Sequence, residues 1–514
     1  IKINRKYKEK RKLKMDYKDL ANLIFPDAKE ISYYEEKYPE RNLPEGAIVT
    51  RFAPSPTGYM HIGNLRTALY GYLFARHEHG KFILRIEDTD QNRFVEGATE
   101  VIYETLKQTH LSHDEGPDVG GDYGPYVQSE RKELYKKYAE MLVESGHAYY
   151  CFCTKDEEEK EREKENEEQG FSSGYNRHCR NLSREEIEAN LKANKPYVIR
   201  QKIPLDGTTT FHDEVFGDVT VENSTLDDQV LLKSDGMPTY NFANVVDDHL
   251  MKISHVMRGR EYIASTPKYQ LLYEAFGWEP PKTAHLSTIM GKNADGSISK
   301  LSKRHGSVSF AKLVEEGYLP EAVINYIALL GWSPKQEREF FSLAELCELF
   351  TLEGLVKTNA IFDYDKLAWM NSEYIKNLTH EKFVHLSLPH ISKLPPFIQE
   401  KWDYVSTLIQ TRINKLSDIF DKLAFLGDFK DFDLTLLVNK KNKTTLVGSL
   451  ETISECLPQL ENVADWTVEN INNTISNYST EKEQKIGYVM WPLRIGVTGE
   501  VVTPGGTGEM MSIL

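Results

Sequence analysis

The sequence predicts an α/β fold: a parallel, doubly wound sheet, interrupted by an inserted domain and followed by an all-α region. Three observations predict it. Gly46 to Phe52 (GAIVTRF) is a β-rich run, ended by Ala53-Pro54-Ser55-Pro56-Thr57-Gly58, whose prolines and glycine force a loop. Leu65 to Phe74 then has apolar residues at helical spacing, and Lys81 to Ile86 reads as a buried strand. Strand, loop, helix and strand make one βαβ unit of a parallel sheet. Thirdly, from about Lys312 the pattern becomes helical and stays so nearly to the end.

Between these landmarks the composition changes. From about Glu130 to Leu226 the chain carries Cys151-Phe152-Cys153 and a run of Glu and Lys from Lys155 to Glu168, which reads as a solvated helix or loop. Val230 to Lys233 and Ile253 to Arg258 read as further buried strands, so the sheet is expected to resume after an insertion.

The chain has 514 residues, room for several domains. At 40% hydrophobic and 27% charged it has an ordinary globular composition. A net charge of −15 argues against a general nucleic-acid binder and requires any such ligand to meet a local basic patch. No run of about 20 apolar residues predicts a membrane span, and no secretory pattern opens the chain. Five cysteines make no disulfide scaffold and fit a reducing, cytoplasmic compartment. The first fourteen residues form a basic leader, read as solvated, and Met15 reads as a natural start.

Two segments suggest nucleotide chemistry. His61-Ile62-Gly63-Asn64 lies between the Pro-rich loop and a helix, where unpaired N–H groups and partial positive charge suit a phosphate. Gly63 lets a ligand approach the backbone, and His61 can donate a hydrogen bond to a phosphate oxygen. Lys300-Leu301-Ser302-Lys303-Arg304-His305-Gly306 follows a polar, glycine-bearing loop, and its clustered cations suit a clamp on pyrophosphate. Taken singly, the first segment is more often a turn histidine and the second more often a solvated basic loop. Together, one near the start of the sheet and one after its end, they would meet at the carboxyl edge of the strands.

His61 to Asn64 resembles the class I aminoacyl-tRNA synthetase "HIGH" motif, and Lys300 to Arg304 resembles "KMSKS". Together with Arg51-Phe52-Ala53-Pro54-Ser55-Pro56-Thr57-Gly58 and Leu84-Arg85-Ile86-Glu87-Asp88-Thr89-Asp90, the chain resembles the bacterial glutamyl-tRNA synthetases from about Met15 to Gly499. The resemblance implies a Rossmann-type catalytic domain with an inserted acceptor-stem-binding domain and an all-α C-terminal anticodon-binding region. The matching boundaries are residues 1–45 as an N-terminal extension, 46–136 and 227–288 as the sheet halves and 137–226 as the insertion. Residues 289–375 form a stem-contact region with the KLSKR loop, and 376–514 form the anticodon region.

The resemblance implies that glutamate attacks the α-phosphate of ATP and that the tRNA terminal ribose then attacks the adenylate. No protein nucleophile is required, so catalysis is positioning and charge stabilisation. His61, Gly63, Lys300, Ser302 and Lys303 fall at the catalytic positions, and Asn64 and Glu261 join His61, Gly63 and Lys303 around ATP. Magnesium is expected with the ATP. The resemblance places Arg51, Ser55, Glu87, Tyr240, Asn244 and Arg258 around glutamate. Arginine suits a carboxylate through paired hydrogen bonds. Glutamine would leave a buried guanidinium uncompensated, at roughly 3–5 kcal/mol. Position 260 is usually acidic in the family and is Arg260 here, which puts its local contacts in question.

Cys151, Cys153 and Cys179 have spacing compatible with tetrahedral zinc. Relatives have a zinc-binding insertion with a histidine at the position of Asn181, a poor ligand; Tyr175 matches a ligating tyrosine, and His178 is an alternative. A zinc site and a set of free thiols both stand as readings. Cys347 and Cys456 read as core residues, and Trp369 as core rather than base-stacking. The partners implied are glutamate, ATP and glutamate tRNA, with glutamine tRNA undecided, and a monomer without membrane contact. The region after Leu313 argues against a paralogue that glutamylates a modified tRNA base, and chain length argues against a small-metabolite adenylyltransferase. His61 and Lys303 together argue against a non-catalytic scaffold, and Ala53-Pro54-Ser55-Pro56 against a glutamine-specific enzyme.

Overall fold

The computed structural model describes residues 29–154, 156–160, 175–306, 308–427 and 432–514, with the side chain of Lys303 outside that description. The basic leader and most of the Glu- and Lys-rich run lie outside the described residues. The chain forms two compact units, residues 1–311 with 327–362, and residues 312–326 with 363–514.

In the first unit, helix α1 (Ile31–Lys37) puts Tyr34 into the core, and Tyr38 follows it. Strand β1 (Val49–Phe52) leads through the Pro-rich loop into α2 (Ile62–His77), which returns to β2 (Lys81–Leu84) parallel to β1. Helix α2 is buried on most of its surface because it lies inside the unit; Leu65, Leu69 and Leu73 are each 0% exposed. Gly80 is required where α2 turns into β2, since a Cβ there would overlap the Ile48 carbonyl.

The chain continues through α3 (Ala98–Gln108) and α4 (Lys132–Glu144) to β3 (Ala148–Cys151), α5 (Arg184–Lys192) and β4 (Val198–Gln201). Then come the hairpin β5 (Thr208–Asp213) and β6 (Gly217–Glu222), β7 (Val230–Leu232), α6 (Tyr240–Leu250) and β8 (His255–Gly259). Helix α7 (Thr266–Phe276) precedes β9 (Lys282–Leu286), and β10 (Ile289–Lys292) pairs antiparallel with β11 (Ile298–Lys300).

Two strand placements differ from expectation. Strand β7 does not rejoin the parallel sheet; it pairs antiparallel with β4, giving a three-stranded sheet of order β3-β4-β7. A three-residue apolar run carries no information about its partner, so hydrophobicity alone could not assign it. Hairpin β5–β6 instead extends the main sheet, in the order β6-β5-β9-β8, with β5 and β8 both parallel to β9. Strand β1 is tied beside β8 by Ser254 N–H donating to the Val49 carbonyl at 3.0 Å. Strand β12 (Ala360–Phe362), parallel to β10, falls in the stretch that the sequence pattern reads as helical.

The second unit is helical. One core gathers Ile375, Phe383, Trp402 and Ile409, and another gathers Cys456, Ile471, Ile475 and Val489. Cys456 is buried as expected, whereas Cys347, in the first unit, is only half-buried. Trp369 is not core: it is 44% exposed, because its helix, Tyr364–Lys376, turns Leu367, Met370 and Ile375 inward and leaves position 369 off that stripe. Among the described residues no helix is long and apolar enough to cross a membrane.

Candidate active site

The carboxyl ends of β1 and β8, the loop after β1, the start of α2 and the end of β11 converge on a cavity of about 650 Å³ in the first unit. His61, Gly63 and Asn64 line it together with Lys300 and Ser302. Arg51, Ser55, Tyr240, Arg258 and Glu261 complete the wall with expected residues. Arg66, Arg93 and Tyr262 also line it. Arg66 was missed because its guanidinium is held by the carbonyls of Leu330 and Ser287, far away in sequence.

Two expected residues face adjoining cavities. Glu87 lines one of about 540 Å³, which shares Ser55, Thr57, Arg93, Tyr240 and Tyr262 with the first. Asn244 donates to the Tyr240 carbonyl at 3.0 Å and lines one of about 270 Å³, which shares Arg258 with the first. The backbone of Lys303 lies in a short 3-10 turn, Lys303–His305, and its side chain is outside the described residues.

At the start of α2 the structure differs from expectation. The first N–H groups are not free: Ile62 N–H donates to the Val308 carbonyl (2.9 Å), Asn64 N–H to the His61 carbonyl (2.9 Å) and Gly63 N–H to His61 Nδ1 (3.0 Å). The helix contributes its dipole here rather than open donors. His61 is therefore both the N-cap and a tautomer fixed by geometry: Nδ1 accepts, so Nε2 carries the proton. Burial, then Lys300, lowers the His61 pKa against a hydrogen bond to the Leu301 backbone, which keeps the ring a neutral donor.

The signature loop is ordered by His305. Ser302 N–H donates to His305 Nδ1 at 3.0 Å, and Nε2 lies 2.9 Å from Asn293 Oδ1. The ring lies against Gly291, where a Cβ would come within 2.6 Å of Cγ. Lys300 Nζ lies 3.5 Å from Glu261 Oε1. Arg260 lies over the Phe216 ring at 5.0 Å, a contact that an acidic residue at this position could not make.

Beneath the pocket lies a buried ionic network. Arg51 donates to Asp248 through Nε (3.2 Å) and Nη2 (3.3 Å), and Arg85 Nη1 donates to the same carboxylate at 2.7 Å. Arg85 also donates to Glu87 Oε1 (2.8 Å), while Arg131, Tyr135 and Gln128 converge on Asp247. Burial pushes Asp248 up, but Arg51 and Arg85 prevail and hold it below its ordinary value. Glu87 has less support: Oε1 meets Arg85, and Oε2 is buried without a hydrogen-bond partner. Burial accordingly raises Glu87 to about 7 against the pull of Arg85 and Arg51.

In the insertion, Cys151, Cys153 and Cys179 place their sulfurs within 4.8 Å of one another. The Tyr175 hydroxyl lies 3.1 Å from Cys151 Sγ and 3.6 Å from Cys153 Sγ. A hydrogen bond from Cys179 comes first among the effects that lower Cys151 to about 5, with Tyr175 and Arg200 also contributing. His178 is not part of this cluster, and Asn181 lines a small cavity that Cys179 also borders.

The chain is similar to known proteins along most of its length. Residues 47–369 match the family model for the catalytic domain of class I tRNA synthetases (E and Q), and residues 374–514 match an anticodon binding domain. A glutamate–tRNA ligase of Clostridium kluyveri is 53% identical over 469 residues, covering 91% of this chain and 95% of that protein. The Clostridium tetani ligase is also 53% identical, with 91% and 94% covered. The crystal structure of a glutamate tRNA ligase from Elizabethkingia meningosepticum, in complex with its amino acid, superimposes with a TM-score of 0.80 at 38% identity, covering 91% of this chain and 96% of that one. The synthetase from Elizabethkingia anophelis gives a TM-score of 0.80 at 37% identity.

Proposed function

The chain belongs to the glutamate–tRNA ligase family of class I synthetases, and on that premise we propose that the cavity between His61 and Lys300 activates L-glutamate and charges glutamate tRNA. A glutamate carboxylate oxygen attacks the α-phosphorus of ATP and pyrophosphate leaves. A hydroxyl of the tRNA terminal ribose then attacks the adenylate carbonyl and AMP leaves. The observation that carries this reading is that one cavity is lined by both signature segments and by Arg51 and Arg258. Guanidinium groups suit the carboxylates of glutamate, and the His61 Nε2–H suits a phosphate oxygen on which charge develops. Magnesium would accompany ATP as its phosphate counter-ion.

The test is aminoacylation of purified glutamate and glutamine tRNA transcripts with labelled glutamate, ATP and magnesium. Glutamate tRNA is expected to be charged, and Lys303→Ala to cut the rate by about 100-fold or more, the magnitude expected for loss of one charge-stabilising group. Failure to charge glutamate tRNA would overturn the assignment. Charging of glutamine tRNA as well would make the enzyme non-discriminating.

Glu87 is the proposed partner of the substrate ammonium, through the buried Oε2 that has no protein partner. Its raised pKa gives the pH dependence a sign. A carboxyl at about 7 in the free enzyme is protonated below that pH and must lose its proton to accept an ammonium. The KM for glutamate should therefore rise as pH falls below about 7, approaching tenfold per pH unit, while the KM for ATP stays nearly flat. Glu87→Gln should give a high KM that no longer follows pH. An equally steep pH profile in that variant would assign the titration elsewhere.

Zinc fits the cysteine cluster in donor chemistry. Cys151, Cys153 and Cys179 supply soft sulfurs close to one another, and Tyr175 supplies an oxygen beside Cys151 and Cys153. The bound ion would supply a structural cross-link between β3 and the segment around Cys179. Metal analysis should find about one zinc per chain, as a single tetrahedral site requires. Cys179→Ser should lose it and lower the thermal midpoint. A metal-free protein whose thiols titrate freely would leave the free-thiol reading standing.

A further inference from the structure

Arg258 stands at the end of β8, but the groups that hold it lie on other elements. Its Nε donates to His285 Nε2 at 3.1 Å and its Nη2 to Thr266 Oγ1 at 3.0 Å. Across the imidazole, His285 Nδ1 lies 2.6 Å from Asp213 Oδ2. Asp213 and His285 are each 0% exposed.

The available hydrogens permit one arrangement. A guanidinium has donors only, so His285 Nε2 must offer a lone pair and the ring proton must sit on Nδ1, where Asp213 accepts it. The Thr266 hydroxyl lies 2.8 Å from the Tyr262 carbonyl and 3.2 Å from His285 Nε2, and with its hydrogen on either it keeps a lone pair for Arg258. Burial, first, and Arg258 depress the His285 pKa despite Asp213, so the ring stays neutral. Asp213 is itself fixed by the turn after β5. Its Oδ1 accepts from Val215 N–H (3.1 Å) and Phe216 N–H (2.9 Å), and its Oδ2 from His285 N–H (3.1 Å). The two side-chain bonds of Arg258 use Nε and one hydrogen of Nη2, so both Nη1 hydrogens and the second Nη2 hydrogen are left for a ligand. Arg258 borders both the main cavity and the 270 Å³ cavity behind it, so an unclamped guanidinium would have two places to go.

The geometry points to Asp213 and His285 as positioning residues for glutamate binding, acting through Arg258 by fixing its guanidinium where the two cavities meet. The inference rests on the reading of Arg258 as a glutamate ligand, and it gives the β5–β6 hairpin a role in the amino-acid site. Removing this chain should act on glutamate and not on ATP.

The experiment is steady-state aminoacylation of glutamate tRNA by the full-length enzyme, with KM measured separately for glutamate and ATP and folding checked by circular dichroism. His285→Phe keeps the ring volume and removes both nitrogens. It should raise the glutamate KM by roughly 10-fold to 100-fold, as loss of a hydrogen bond to a charged group implies, with the ATP KM within about twofold. Asp213→Asn keeps an acceptor for the turn but places a donor at His285 Nδ1. That drives the ring proton to Nε2, against Arg258, and should give the same split. Thr266→Val removes the other acceptor of Arg258, a hydroxyl 3.2 Å from His285 Nε2, and should shift the glutamate KM in the same direction.

Arg258→Ala is the control. If it leaves the glutamate KM unchanged, the reading of Arg258 itself fails. If it raises that KM while a folded His285→Phe does not, the positioning inference is overturned. If both His285→Phe and Asp213→Asn fail to fold, Thr266→Val decides: an unchanged glutamate KM overturns the inference, and a selective rise supports it.

Discussion

His61→Asn should lower the aminoacylation rate by about 100-fold to 1,000-fold while leaving the fold intact, the magnitude expected when one preorganised donor to developing charge is removed. Asparagine is chosen because His61 does two things. Its Nδ1 caps α2 by accepting from Gly63 N–H at 3.0 Å, and its Nε2 carries the proton beside Lys300 and Ser302 in the cavity. Asparagine is among the best N-caps, so its side-chain oxygen preserves the first role. It is too short to reproduce Nε2. A thermal midpoint near that of the parent with a large loss of rate would separate the roles. A rate within about tenfold of the parent would remove His61 from transition-state stabilisation. His61→Ala loses the cap as well and should cost about a further 1 kcal/mol of stability.

Asp248→Ala should be the most destabilising single change in the first unit. Asp248 is 2% exposed and accepts from both Arg51 and Arg85, whose side chains are 4% and 0% exposed. Removing the carboxylate takes the ion-pair partner from buried Arg51 and leaves Arg85 to Glu87, and breaking a buried ion pair from one side costs about 3–5 kcal/mol. That is a large fraction of the roughly 5–15 kcal/mol by which domains are stable. Glutamate binding should fail with it, because Asp248 also sets the direction of Arg51. Chemical denaturation of the parent, Asp248→Asn and Asp248→Ala would measure the effect. The asparagine variant keeps the shape and an acceptor and should fall between the other two. A midpoint in Asp248→Ala equal to that of the parent would show that the arginines find other acceptors.

The signature residues were legible because each does its work beside its own neighbours in the chain. Arg51 leads into a proline-broken loop, His61 opens a helix, and Ser302 is tied to His305 within one short loop. Residue types and local spacing carry that information. The first N–H groups of α2 were misread for the complementary reason. Whether a helix N-terminus is open depends on what arrives from elsewhere, and here the Val308 carbonyl arrives to accept from Ile62. Strand β7 failed in the same way, since Val230–Leu232 is apolar enough for either sheet and its pairing with β4 is a matter of approach. Glu87 was read as a substrate residue by family resemblance, but its burial and its unpartnered Oε2 come only from packing.

By itself the sequence determined the family, the signature segments and the βαβ start of the sheet, because short-range propensity and residue chemistry act within a few residues of one another. Tertiary structure alone decided that Asp248 pairs with Arg51 and Arg85, that Asp213 and His285 stand behind Arg258, and that Trp369 faces outward. These are contacts at about 3 Å between residues distant in the chain, or the choice of which helix face is covered. Hydrogen bonds and desolvation act only over such distances, so their energies exist only once folding has brought the partners together.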